Sequence, residues 1–390
     1  MKEILKKAEK IKEVIVADRR YLHQNPEVGN DLPVTVAYVK KRLTEMGYQP
    51  QEVSKSGVSA LAGGKKGGKT VLLRGDMDAL PMREDSGLPF QSEIEAAHTC
   101  GHDMHTAMLL GAAALLKQME NELNGSVKLM FQPAEELLLG AKAMIDAGIL
   151  DNPKVDAAFA IHVAADRGVG EFGYDREYTH SSSDSFHIDI KGKGSHGAMP
   201  HMGIDPINVA AHIHIALQEI LAREISAAES AIVTIGQLTA GNATNIIPES
   251  AHMKGTVRAY SAPVRELALR RLREISENIG RAFNAEVVLT FPASAPSVFN
   301  DGETVDFMLD VLKEGGFALQ KRRSMGSEDF AFVAERVPSA FLALGAGTAD
   351  KSRRVALHNP QVLLDEDALP IGAAVYAALA KKWLERNGDL

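Results

Sequence analysis

The sequence predicts an α/β protein with a smaller α+β module set into it. Three observations carry this. Short, continuously apolar runs at 70–74, 127–132 and 340–344 have the length and content of strands buried on both faces. Segments of helical period alternate with those runs, the order that builds a largely parallel sheet. Near residue 183 the strands become half-buried, apolar and polar in turn. There the order is β-α-β-β-α-β, that of a ferredoxin-like sandwich. The expected division is one domain from residues 1–182 and 293–390, with 183–292 inserted.

Taken in order, the first twenty residues place Ile4, Leu5, Ala8, Ile11, Val14 and Ile15 at helical spacing, so one amphipathic helix is expected to open the chain. A second helix over 33–47 closes at Gly47. Residues 50–70 are rich in Gly and Lys and read as a meander ending in a turn at 65–68. The buried strand at 70–74 delivers Gly75-Asp76-Met77-Asp78 at its carboxyl end, where open α/β sheets bind ligands. A helix from about Asp103, a strand at 127–132, a helix around 137–147 and strands at 157–163 and 169–174 follow. In the insert, strands at 186–191, 231–238, 251–260 and 286–291 alternate with helices from 206 to about 228 and over 263–283. From Pro296 helix and strand alternate again, through the strand at 340–344 to a final helix after Pro370.

The chain has 390 residues, 45 % apolar and 24 % charged, enough for two domains with ample core. A net charge of −8 argues against general nucleic-acid binding. No run approaches the roughly eighteen apolar residues of a membrane span, and the first residues lack a leader's apolar core. The single cysteine, Cys100, excludes an intrachain disulfide framework and fits a reducing compartment. A cytoplasmic protein is expected.

Five polar clusters fall where strands of the first layer end: Asp76/Asp78, Cys100/His102, Glu135/Glu136, His162 and His358. Each alone has an ordinary reading, since a strand-end Asp can cap a helix and His162 can be a satisfied core histidine. Gathered on one sheet edge, a thiol, several imidazoles and several carboxylates make the donor set of a divalent metal site. Cys100 and His102 stand two apart across Gly101 and can turn toward one ion. Adjacent side chains diverge, so of Glu135 and Glu136 one can bind while the other takes a proton from water. A metallohydrolase needs that division.

The combination RGDMDALP (74–81), HTCGHDMH (98–105), FQPAEE (131–136), GKGSHGAMPH (192–201), TNIIP (244–248), GTVR (255–258), GSEDF (326–330) and LHNP (357–360) resembles the metallo-amidohydrolases related to aminoacylase and glutamate carboxypeptidase. Within them it resembles the branch of hippurate hydrolases, N-acetyl-diaminopimelate deacetylases and indole-acetyl-amino-acid hydrolases. The resemblance covers nearly the whole chain.

It implies an aminopeptidase-like catalytic domain and an inserted lid and dimerisation domain. Two divalent ions (zinc, manganese, cobalt or nickel) would sit about 3.5–4 Å apart. The resemblance gives them Cys100, His102, Glu136, His162 and His358 as ligands, with Cys100 bridging as thiolate. Glu135 would be general base and then acid. Other branches place a bridging aspartate where Cys100 stands and a histidine ligand where Asp76 stands, so Asp76 and Asp78 are read as groups that orient imidazoles. His196 would reach a partner subunit's site and stabilise the oxyanion, which makes a homodimer part of the expectation. Asn245 and Arg258 would hold the substrate carboxylate, although Arg258 can also be read as an ordinary strand-face salt bridge.

The implied activity is hydrolysis of N-acyl amino acids. A metallo-dipeptidase or carboxypeptidase acting on short peptides is the rival enzyme, and a non-catalytic metal-binding protein the rival class. Gly192-Lys193-Gly194-Ser195-His196-Gly197 fits a dinucleotide pattern, but Pro200 and Pro206 follow and no helix opens on the glycines. His105 reads as a supporting residue. Met77, Met82, Met104 and Met199 read as core filling.

Overall fold

A computed structural model describes residues 1–63 and 68–388. Apart from Gly68, the turn expected at 65–68 lies outside the described residues. The chain forms two compact units: Met1–Thr179 with Phe299–Arg323 and Asp329–Leu390, and His180–Val298 with Ser324–Glu328.

The chain opens with α1 (Lys2–Lys10) and α2 (Lys12–Gln24) rather than one helix. The break falls at Ile11 (φ −108°, ψ 11°), and the bend turns both Ile4 and Ala8 of α1 and Ile15 of α2 into the core. Next come α3 (Pro33–Glu45), β1 (Gln51–Ser54), β2 (Gly57–Gly63), β3 (Lys69–Asp76), α4 (His102–Gln118) and β4 (Gly125–Gln132). They lead to α5 (Gly140–Asp146), β5 (Ala157–Gly168), β6 (Glu171–Tyr174) and β7 (Tyr178–His180). The second unit contributes β8 (Ser183–Lys191), β9 (Ser195–His196), α6 (Pro206–Glu219), β10 (Ala231–Ala240), β11 (Ile246–Ile247), β12 (Ser250–Ala259), α7 (Ala262–Ala282) and β13 (Glu286–Ala295). After β14 (Val298–Phe299) follow α8 (Gly302–Gly315), β15 (Ala318–Lys321), α9 (Ala331–Ala334), β16 (Ser339–Gly347) and α10 (Ala368–Asn387).

Helix α6 ends short of 228 because a π-helical turn, Ile220–Glu224, closes it over buried Ile220, and Ile225 beyond it is extended (ψ 131°) and packs on the same core. Helix α10 begins before Pro370, whose missing N–H falls in the first turn, where it has no helical partner to lose.

The described residues of the first unit form an eight-stranded sheet in the order β1-β2-β4-β3-β5-β16-β6-β15. Its middle, β4-β3-β5-β16, is parallel. Strands β3, β4 and β16 are buried almost throughout, which their continuous apolar runs require. Helices α4 and α10 pack together over this sheet, so closely that a Cβ at Gly372 would fall 1.9 Å from Met108 Sδ.

The second unit is an antiparallel sheet, β10-β12-β8-β13, connected as β8-α6-β10-β12-α7-β13. That is the ferredoxin-like arrangement. Phe186, Ile188 and Ile190 of β8 face α6 and α7 through Val209, Ile213 and Leu272, while Asp189 and Lys191 face out. A two-stranded ribbon of β9 and β11 stands beside it. Among the described residues no helix is long and apolar enough to cross a membrane.

Candidate active site

In the first unit the carboxyl ends of β3 and β4, the start of α4, the middle of β5 and the segment after β16 bring eight of the singled-out residues together. Cys100 Sγ lies 3.5 Å from His162 Nε2 and 3.3 Å from His358 Nε2. His358 Nε2 is also 3.3 Å from Glu136 Oε1. His102 Nε2 stands 3.9 Å from both Glu135 Oε2 and Glu136 Oε1. The donor atoms of Cys100, His102 and His162 lie within 4.8 Å of one another, as do those of Cys100, Glu136 and His358. Two donor triads therefore share one thiol.

The backbone is bent to make this possible. Gly101 has φ +88°, and a Cβ there would meet Val163 Cγ2 at 2.4 Å, so Cys100 and His102 are joined by the one residue that fits. His358 is left-handed (φ +64°), and its N–H donates to the Thr99 carbonyl at 3.0 Å. Ala134 (φ +52°) and Leu138 (φ +57°) bracket Glu135 and Glu136. Strained non-glycine residues of this kind gather at functional sites.

Hydrogen bonds then aim the rings. His102 Nδ1 donates to the Asp78 carbonyl at 2.8 Å, and His162 Nδ1 to the Val163 carbonyl at 2.7 Å. A carbonyl only accepts, so each ring keeps its Nε2 lone pair free to bind, the ligand tautomer. His105 differs. Its Nδ1 donates to Asp76 at 2.5 Å and its Nε2 accepts the Val163 N–H at 2.8 Å, which leaves no lone pair for an ion. Asp76 thus orients His105 and meets His102 Nε2 only at 3.6 Å. Arg74, fully buried, donates to Asp76 (2.7 Å), Gln132 (2.8 Å) and Asp329 (3.1 Å). The Asp78 side chain accepts the backbone N–H groups of Glu135 and Glu136.

The residues fit divalent ions. His102 Nε2 and Glu136 Oε1 are buried without a hydrogen-bond partner among the described residues. Such groups cost about 1–3 kcal/mol each when left unsatisfied, and a cation would engage both. Burial pushes the Cys100 thiol up to about 12, so a thiolate there needs positive charge beside it. Burial alone lowers the His102 ring, yet Asp76 and Cys100 lift it well above its ordinary value; the cluster favours positive charge at this point. Burial, aided by His105, holds His162 well below its usual range, a neutral imidazole. Asp76 stays an anion because Arg74 and the two imidazoles outweigh its burial. Cys100, His102 and His162 could hold one ion, and Cys100, Glu136 and His358 a second.

His196, Asn245 and Arg258 belong to the second unit. His196 is exposed on β9, and its Nδ1 accepts the Ala198 N–H at 3.0 Å, which leaves Nε2 to carry the proton of the neutral ring. Gly197 N donates to the Asn245 carbonyl at 2.8 Å, so Asn245 flanks His196. Arg258 is half-buried on β12, and its Nη1 is buried without a hydrogen-bond partner among the described residues. Met199, expected in a core, is 55 % exposed, whereas Met77 and Met104 are buried.

Sequence reasoning does not reach a buried ionic group behind α4. Asp103 accepts from Arg19 Nε (2.9 Å) and from His23 Nδ1 (2.8 Å), and His23 Nε2 meets Glu84 at 2.9 Å. Both partners of His23 are carboxylates, so the ring donates from both nitrogens as a cation. The one legible signal is an acid in the first turn of α4, a position that favours negative charge.

A model of peptidase family M20/M25/M40 matches residues 72–382. The chain is 36 % identical over 371 residues to an N-acetylcysteine deacetylase of Bacillus subtilis, covering 94 % of this chain and 96 % of that protein. It is 37 % identical over 373 residues to a hippurate hydrolase of Campylobacter jejuni, with the same coverage, 94 % and 96 %. A solved Bacillus subtilis structure, described as a dinuclear metal binding peptidase of the M20 family, superposes with a TM-score of 0.84 at 33 % identity. That match covers 97 % of this chain and 99 % of the other. The donor cluster stands inside the matched segment, and the chain belongs to peptidase family M20/M25/M40 and is a hydrolase.

Proposed function

We propose that this hydrolase cleaves the amide bond of N-acyl amino acids, with Glu135 as the base. The observation that carries the reading is the pair of donor triads sharing Cys100, with a second carboxylate, Glu135, at its rim. Relatives named for N-acetylcysteine deacetylation and hippurate hydrolysis support the substrate class. Divalent ions held by Cys100, His102, Glu136, His162 and His358 would lower the pKa of water toward about 7 and polarise the acyl carbonyl.

Glu135, its backbone fixed by Asp78, takes the proton of the attacking water and returns it to the leaving amine. His196 offers Nε2–H to the developing oxyanion. Arg258, whose Nη1 is unengaged, and Asn245 hold the free carboxylate. His196 acts from a second copy of the chain in a homodimer. Support for pairing comes from β10, an edge strand exposing Ile232 and Leu238, and from Ile215 of α6, 69 % exposed. Zinc suits the thiol and imidazoles, and manganese, cobalt or nickel the carboxylates.

The test is amino-acid release from N-acetyl, N-benzoyl and dipeptide substrates, on chelated protein and after return of zinc or manganese. Release from the N-acyl substrates only after metal return is expected; a preference for dipeptides would move the reading to a dipeptidase. Glu135→Gln should lower turnover by about 10²–10⁴-fold with metal content unchanged. Unchanged turnover would sink the assignment of the base.

A further inference from the structure

We infer that Ser250, His252 and Asp189 form a second hydrolytic site, a serine nucleophile with its base and orienting acid, which cleaves small esters without using a metal. It lies wholly in the second unit and does not rest on the function proposed above.

Ser250 and His252 stand two apart on β12, so their side chains leave the same face of the sheet. Asp189 of β8 is the residue directly opposite His252. Ala251 and Met253 alternate with them and are buried in the core of this unit, which leaves the three polar side chains on the outer face. His252 Nδ1 lies 2.7 Å from Asp189 Oδ1, and its Nε2 lies 3.3 Å from Ser250 Oγ. A carboxylate only accepts, so the neutral ring carries its proton on Nδ1 and presents a lone pair at Nε2. The Ser250 hydroxyl therefore donates to Nε2. Hydroxyl, imidazole and carboxylate stand in the order and tautomer that activate a serine, a constellation defined by its geometry on any fold. A surface pair of Asp189 and His252 would need the Nδ1 contact alone.

Ser250 and His252 line a cavity of about 750 Å³, a size that takes small organic molecules. Ala240, Ile246 and Ile247 line it too, an apolar wall for an acyl or alkyl group. So do His196, whose Nε2 carries the proton of the neutral ring, and the amide of Asn242; these are the donors at hand for an oxyanion. The side chains of His252 and Asp189 are 52 % and 55 % exposed. Charge stabilisation is weaker in water than in an enclosed site, which favours esters with a good leaving group over amides. Ser250 Oγ bonds to the acyl carbon as the ester C–O bond breaks, and its proton passes through His252 Nε2 to the leaving alcohol. Water then adds to the acyl carbon, gives a proton to His252 and displaces Oγ, which takes that proton back. Ester and water become alcohol and carboxylic acid.

The test uses metal-loaded Glu135→Gln protein, to silence the metal centre, with 4-nitrophenyl acetate and butyrate. Turnover well past one equivalent is expected, unchanged by chelator. Adding Ser250→Ala should reduce it to the uncatalysed rate, and adding His252→Gln should lower it about 10²-fold. Diisopropyl fluorophosphate should add one phosphoryl group to Ser250, located by peptide mass, and much more slowly in His252→Gln. In the otherwise wild-type protein, Ser250→Ala should leave metal-dependent release of amino acids unchanged, which shows that the variant folds. Ester turnover that survives Ser250→Ala, or that chelator removes, overturns the inference. So does a label on another residue, or one that reaches Ser250 as fast without His252.

Discussion

The carboxylate of Asp78 accepts the backbone N–H of Glu135 on Oδ1 at 3.0 Å, and that of Glu136 on Oδ2 at 3.1 Å. Its own carbonyl takes His102 Nδ1. One residue therefore sets the proposed base and two donors relative to each other. Asp78→Ala should lower kcat about 10²-fold through misplacement of Glu135, and metal affinity about 10–100-fold. Steady-state kinetics and metal titration check both. If neither moves, the loop holds its shape without Asp78.

Arg74 is the cation between two buried carboxylates, Asp76 and Asp329. Arg74→Met strands both. Removing one partner from a buried ionic group costs about 3–5 kcal/mol, and the urea midpoint should fall accordingly. Arg74→Lys keeps the charge but cannot fork to three partners, so it should fall between. A midpoint at the wild-type value for Arg74→Met would show that the two carboxylates do not need the charge.

Stability should decline in mild alkali through His23. Burial lowers this ring, but Asp103 and Glu84 outweigh burial and the nearby Arg19, and hold it above its ordinary value; the His98 ring stands beside it, centroids 6.4 Å apart. A raised folded value means the contribution is complete below the unfolded value of about 6.5 and lost as pH rises through the folded one. Asp103 and Glu84 are held low despite burial, so their contribution is present above their unfolded values and lost in acid. Unfolding free energy of the metal-loaded protein should fall above neutral pH in the wild type and stay flatter in His23→Gln. Parallel profiles would refute the assignment.

Gly101→Ala should fold poorly and hold metal poorly. The residue has φ +88° and its new Cβ would press on Val163. A non-glycine residue in such a region costs of order 1–3 kcal/mol before any clash. Melting temperature and metal content should drop together; full metal content at a lowered melting temperature would show that the donors tolerate the shift.

Much of this was legible because buried strands write themselves as apolar runs, and because Cys100, His162 and His358 are chemically conspicuous, although His162 stands inside β5, Cys100 just before α4 and His358 well past β16 rather than at strand ends. Periodicity reports an element's own faces and nothing of its neighbours. It could not place β16 between β5 and β6, or find that Ile11 bends the opening helix. The His23 group is invisible for a related reason. Its partners Glu84 and Asp103 are 61 and 80 residues away, and each alone reads as an ordinary surface acid. Met199 shows the converse, an apolar residue that composition assigns to a core and that stands in water.

The position of β16 also orders the birth of the molecule. It pairs β5 in parallel on one side and β6 antiparallel on the other. During synthesis, Ala157–Gly168 leaves the ribosome with that edge open, and it stays open while the whole second unit, α8 and β15 are made. An apolar strand edge left waiting is a template for pairing with another chain. His358 arrives later still, so the shared-thiol cluster can close only on a nearly finished polypeptide. Capture of an ion by Cys100, Glu136 and His358 would therefore belong to the end of folding, and nascent chains stalled before Ser339 should be the ones that aggregate.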